Sequence, residues 1–320
     1  MRIAEAAGRV FYVLFLLVML QSVYRPDGRL EAATETTLRF LFMVDRFDEN
    51  QKFITPEAIV CEKRTGEILI ADTEPGKVYI FDENGQPLYV IQYKEMVNPC
   101  GLAIRSTGEI YVSDRIANKI FVFDFQGGFI RELDLRKVLR KRRVVPGRIA
   151  FDRFDNLYVL DKANYQFHIF DEDLKPILSF GSFGERSGEF EFPLGVAVGA
   201  DFLVYVSDGS GIPLQVFDWR GRVVKTLGQK NAAGKFGLSF PAGICYENER
   251  ETLWVADSRQ QVIKGFDKKG NVVGTFGGFG DEEGKFLYPT DLAVDSKGRI
   301  FVVEKGTNRF QAFKIVRTKD

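Results

Sequence analysis

The stretch PTDLAVDSKGRIFVVEKGTNRFQAF, Pro289 to Phe313, holds two apolar alternations separated by a polar turn, then a third strand-like run. Alternation with a period of two marks a strand with a buried face. The same phrase recurs upstream. An anchor proline opens each copy, at Pro56, Pro99, Pro146, Pro193, Pro241 and Pro289. A carboxylate closes each second strand, at Asp72, Asp114, Asp161, Asp208, Asp257 and Glu304. Both series advance in steps of 42 to 49 residues, the period of a four-stranded propeller blade. The second strands read GEILIAD, GEIYVSD, DNLYVLD, FLVYVSD, ETLWVAD and GRIFVVE.

Fourth strands follow in five copies, and the sixth copy stops after its third. The missing strand stands at the other end of the chain. TTLRFLFMVD, Thr36 to Asp45, has the same alternation and precedes the first copy as other fourth strands precede theirs. Such closure removes an open seam of unpaired strand edge. The fold class expected is therefore all-β: a six-bladed β-propeller of four-stranded antiparallel blades over residues 34–320, its last blade completed by an N-terminal strand.

These signatures resemble the NHL repeat, with its Pro-x-Gly-apolar, Gly-x-apolar-Tyr-Val-x-Asp and Asn-x-Arg-apolar-x-x-Phe elements. The links FGSFGERSGEFEFP and FGGFGDEEGKFLYP match that family's glycine-rich connection ending in Phe-x-x-Pro. The resemblance, of the bacterial exported type, implies the propeller fold and leaves function open, because propellers host unrelated activities.

Residues 1–33 form a separate segment. Arg2 and Arg9 precede an apolar run of eleven residues, Val10 to Leu20. That length suits the core of a signal peptide, and a spanning helix needs about 20 residues. The expectation is export, to the periplasm or outside the cell. The segment is either removed or kept as an inner-membrane anchor through residues 10–24.

Composition excludes more than it selects. The 44 basic and 44 acidic residues balance, so net charge favours no polyanionic partner. His168 is the only histidine, which rules out multi-histidine zinc chemistry. It sits inside a third strand and reads as structural. Cys61, Cys100 and Cys245 are too few and too scattered for a disulfide framework, and read as small buried residues. The strand-end carboxylates read as caps on the next turn's backbone. Phe81, Phe123, Phe170, Phe217, Phe266 and Phe313 read as packing between blades.

Function is sought where one copy departs from the others. Two residues after each anchor proline stand Ala58, Gly101, Arg148, Gly195, Gly243 and Asp291. Arg148 and Asp291 break a rule of small residues, in blades that face each other across the ring. With Glu57 they read either as a polar site at the top mouth of the channel or as charges that solvate it. "Top" here is the face carrying the second-to-third and fourth-to-first connections. A second departure is the insertion LDLRKVLRKRRVVPG, with Arg136, Lys137, Arg140, Lys141, Arg142 and Arg143 within eight residues. It reads as a short basic helix on the top face, joined by Arg115, Arg259 and Arg309. The bottom turns are richer in acids.

The leading expectation is a monomeric, non-catalytic scaffold that binds a protein partner of acidic surface through its top loops. The alternative is an enzyme at the channel mouth, because related propellers include a zinc amidating lyase and calcium-holding lactonases. A zinc site fails for want of histidines. Calcium would require several inward oxygens, with Glu57 and Asp291 as the charged candidates. No other cofactor is expected. A lesser alternative is RNA binding on a basic top face, as some animal NHL propellers do.

Overall fold

The computed structural model describes residues 36–229 and 237–317, together with a short pairing of Val23–Tyr24 with Leu30–Glu31. Six four-stranded antiparallel sheets follow one another along the chain. The first strands that line the axis are Pro56–Cys61, Pro99–Ile104, Pro146–Phe151, Pro193–Val198, Pro241–Glu247 and Pro289–Val294. Each packs on the next, and the sixth packs on the first, so the ring is closed. The sixth blade takes Thr36–Val44 as its outer strand, paired with Arg309–Arg317 from Thr36↔Arg317 to Val44↔Phe310. Closure runs through the N-terminal strand, as the alternation in TTLRFLFMVD required.

No blade buries both faces alone, so the core is divided into six wedges, each between two neighbours. One wedge joins Phe53, Ile68, Ile70, Tyr79 and Phe81 of the first blade to Phe301, Val303 and Phe310 of the sixth. The recurrent third-strand phenylalanines are all buried in these wedges, each contributing about 1.5–3 kcal/mol by apolar burial. Cys61 and Cys100 are buried and Cys245 is half-buried, all as free thiols.

The strand-end carboxylates do more than cap. Asp114 accepts from the backbone N–H groups of Ile116 and Ala117 in the next turn, and from Val97 and Asn98 ahead of the anchor proline. Asp208 and Asp257 repeat the pattern. One buried side chain thus ties the entry of a blade to its second hairpin, and satisfies N–H groups that would otherwise be orphaned.

His168 also proves to be one of a series. Its place in the third strand is held by Gln215, Lys264 and Gln311 in the later blades. Gln215 accepts from Gly188 N–H and donates to Glu189 O, both at 2.7 Å, and so pins the glycine-rich link. Gln311 treats Gly284 and Lys285 in the same way. His168 is fully buried, with Nδ1 2.7 Å from Ser179 Oγ and Nε2 3.2 Å from Asp161. Its Nε2 also lies 3.4 Å from Lys141 Nζ of the insertion. Where the glutamines hold link backbone, the histidine meets the insertion only through the Lys141 ammonium.

Among the described residues, no helix is long and apolar enough to cross a membrane. The apolar run Val10 to Leu20 lies outside the described residues.

Candidate functional site

Every first strand has an irregular register just after its anchor proline. The residue two places on therefore stands at the inner edge of the ring, where six strands converge. Gly243 shows how tight this is: a Cβ there would strike Asp291 Oδ1 and Cα and lie 2.8 Å from Thr290 O. Small residues are needed wherever a neighbour's backbone or side chain already fills the centre.

Arg148 is what fills it. Its Nε lies 3.1 Å from Asp291 Oδ2 in the opposite blade. Its Nη1 donates to Cys100 O, and its Nη2 donates to Glu57 O at 2.5 Å and to Thr290 O at 3.3 Å. One guanidinium from the third blade therefore grips the first, second and sixth. Asp291 also accepts from Ile59 N–H at 3.1 Å. Burial pushes its carboxyl up to about 6, against the pull of Arg148 and of the Ile59 and Leu292 N–H groups.

Glu57 completes the cluster beside this plug. It pairs with Arg115, and lies 3.6 Å from Lys305 Nζ and 3.9 Å from Arg148 Nη1. Burial alone would raise its carboxyl, but Arg148, Arg115, Lys305 and Lys162 outweigh that and hold it at about 2. Burial in turn lowers the Lys162 ammonium, with Glu57 opposing. The three channel-mouth residues expected from sequence, Glu57, Arg148 and Asp291, are thus brought together, but as a seal. Both carboxylates are turned on a guanidinium, and a calcium ion placed between them would face that cation. This donor set does not fit calcium. Among the described residues, no three His, Cys, Asp or Glu side chains gather as a metal site.

The insertion forms a short helix, Leu135–Leu139. Asp134 caps it by accepting from Arg136 and Lys137 N–H, and Arg140 ends it in the left-handed region at φ 52°. Leu135 and Val144 are buried against the second and third blades. Arg136, Lys137, Arg140, Arg142 and Arg143 stay exposed, as does Arg259. The other expected surface cations are committed inward. Lys141 donates to Gln166 Oε1 at 2.5 Å and leans on His168. Arg115 is half-buried against Glu57. Arg309 is buried: its Nε donates to Glu304 at 2.7 Å and its Nη atoms to the carbonyls of Asp281, Glu282 and Lys285. It is a link anchor and not a contact residue, because the strand-end acid is the longer Glu304 and reaches it.

A second set of top-face residues was not singled out from sequence. Ile54, Val97, Phe192 and Tyr288 stand just ahead of anchor prolines, and Phe183 and Phe279 stand in the glycine-rich links; all are exposed. Phe192 and Phe240 lie 5.8 Å apart by ring centroids. The signal was available: these are large apolar residues in turns, outside the strand alternation. Several acids of the bottom turns are engaged there, Glu62 by Arg64, Asp155 by Arg105, Glu83 by Lys297 and Glu247 by Arg250.

A closed ring with a sealed upper mouth and loaded loops defines the class: a six-bladed β-propeller. The NHL repeat family matches residues 286–313, so the chain carries an NHL repeat where the sixth blade begins. Protein brain tumor of Drosophila melanogaster is 32% identical over 128 residues, 39% of this chain and 12% of that protein's length. The fold is shared with a gluconolactonase from Xanthomonas campestris, at TM-score 0.65 and 16% identity over 87% of this chain and 95% of that one. It is also shared with virginiamycin B lyase from Staphylococcus aureus, at TM-score 0.62 and 13% identity over 88% of this chain and all of that one. At such identities the likeness to the two enzymes is one of fold.

Proposed function

We propose that this chain is a non-catalytic docking platform whose top face binds a protein partner of acidic and apolar surface. The supporting observation is the juxtaposition on one face of two features above a sealed floor. Exposed Arg136, Lys137, Arg140, Arg142 and Arg143 rise between the second and third blades. Exposed Phe183 and Phe192 stand in the link between the third and fourth blades, and exposed Phe279 and Tyr288 in the link between the fifth and sixth. Large apolar side chains exposed on one face mark interaction sites, and a cation cluster on the same face steers acidic partners.

The enzyme reading draws its support from the gluconolactonase and lyase folds. Against it stands the chemistry of the upper mouth, where Glu57 and Asp291 both pair with Arg148 instead of standing free. Export, by cleavage or with residues 10–24 kept as an anchor, is part of the proposal and is tested by cell fractionation.

The deciding experiment compares the wild-type chain with a variant in which the five exposed insertion cations are glutamine. Both are used as bait on an envelope fraction, and a captured partner is then titrated. Loss of a specific partner by the variant, with an unchanged melting curve, supports the reading. Equal capture by both sinks it, and so does salt-dependent binding of RNA in preference to any protein.

A further inference from the structure

The residues just ahead of the six anchor prolines are Thr55, Asn98, Val145, Phe192, Phe240 and Tyr288. The three aromatic ones introduce consecutive blades, the fourth, fifth and sixth. Tyr288 also departs in its backbone. Its φ is 52°, and none of the other five has a positive φ. A bulky side chain rarely adopts that region, and such strain persists only where the surroundings impose it. In four blades the strand-end acid accepts from the N–H groups of both residues ahead of the proline. In the sixth, Glu304 accepts from Leu287 N–H, while the Tyr288 N–H donates to Oε1 of buried Gln261 at 2.6 Å. The Tyr288 carbonyl accepts from Lys305 N–H at 3.0 Å. The backbone is thus pinned on both sides while the side chain stays 60% exposed.

A cleft of about 270 Å³ lies between Tyr288 and Phe240, lined also by Ser258, Thr290, Lys305 and Gly306. Its hydroxyls are turned inward: Ser258 donates to Pro289 O, and Thr290 to Glu57 O at 3.3 Å. Among the described residues Lys305 is the one charged group of the lining. Its Nζ lies 3.6 Å from Glu57 Oε2, but Glu57 is already paired with Arg115 and approached by Arg148. One carboxylate is shared by several cations, so the exposed Lys305 ammonium can take a second anion.

The volume falls below the range of about 300–1,000 Å³ of sites for drug-sized ligands, and suits a single residue. The occupant must therefore bring an apolar side chain and an anion together. In a polypeptide an apolar residue carries its own carboxylate only at the C-terminus, a group that proteins capture as a recognition mode of its own.

We propose that the Phe240–Tyr288 cleft receives the C-terminal residue of the partner, its apolar side chain in the cleft and its free carboxylate on Lys305. This deepens the docking reading and rests on it, but its test needs no captured partner.

The full chain is titrated, by fluorescence anisotropy, with fluorescein-Gly-Gly-Phe as the free acid and as the amide. A third probe, fluorescein-Gly-Phe-Asp with an amidated end, moves the charge to a side chain. The free acid should bind saturably and at least tenfold tighter than either other probe. Lys305→Gln should bring acid and amide within about twofold of each other. Tyr288→Gly, which relieves the positive φ and so keeps the fold, should weaken the acid at least tenfold. The variant with five insertion glutamines should bind the acid like wild type, which separates this site from the cation cluster. Equal binding of acid and amide overturns the proposal, as does equal binding of the Asp probe, an unchanged preference in Lys305→Gln, or loss of the acid by the insertion variant. A Tyr288→Gly protein that keeps the acid and loses single-stranded RNA instead assigns the cleft to nucleic acid and also overturns it.

Discussion

The two ends of the central channel are built from the same six strands and could hardly differ more. At the top, Arg148 and Asp291 reach across the ring and close it with charge. At the bottom it stays open, with a cavity of about 460 Å³. In a sixfold ring one position is repeated six times at the axis, so a single departure from the small-residue rule is enough to change the bore. Two complementary departures, in facing blades, can seal it without leaving an unpaired charge. The seal belongs to stability, and that statement can be attacked.

The largest effect should follow from Arg148→Ala. It removes a guanidinium that holds three other blades and leaves Asp291 buried beside an empty centre. Breaking a buried pair from one side costs about 3–5 kcal/mol, to be read by urea unfolding. A loss below about 1 kcal/mol would mean that the seal is ornamental to the fold. Next comes Gly243→Ala, which drives a methyl into Asp291 and should cost about 1–3 kcal/mol as overpacking. The same change at Gly188, which has room for a Cβ, tests backbone strain alone, because that residue has φ 89°.

The third prediction uses pH. The folded Asp291 carboxyl titrates near 6, above its ordinary 3.8. Its contribution is fully present below about 3.8 and is lost as pH rises through about 6. Wild type should therefore lose stability relative to Asp291→Asn across that window, in paired unfolding curves. Glu57 has the opposite sign. Held at about 2 against an ordinary 4.5, it stabilises the fold above 4.5, and that contribution is lost as pH falls toward 2. A flat difference between wild type and Asp291→Asn would show that the carboxylate is less buried than its contacts imply. The smallest effect concerns the upper loops. Replacing Arg136, Lys137, Arg140, Arg142 and Arg143 with glutamine should change stability by no more than about 0.5 kcal/mol per site, so any loss of partner binding is a surface effect.

The fold was legible because it is written six times. Anchor prolines, strand-end acids and wedge phenylalanines repeat, and repetition exposes both strand boundaries and the missing fourth strand. The seal was half legible. Arg148 and Asp291 stood out against Ala58, Gly101, Gly195 and Gly243, but their meeting depends on the width of the ring, a quantity absent from any single repeat. Arg309 misled because a cation in a top-face turn looks exposed until the length of Glu304 and the path of the Asp281–Lys285 link are known.

The pairing of Thr36–Val44 with Arg309–Arg317 also sets a timetable. In chain order the strand that completes the ring comes before the first blade and its partner after the fifth, so the nascent chain must carry an unsatisfied edge through the synthesis of five blades. Contacts between such distant positions slow folding. A chain halted before Arg309 would present two raw edges at once, one at each end of an open spiral, and would recruit other chains instead of closing on itself.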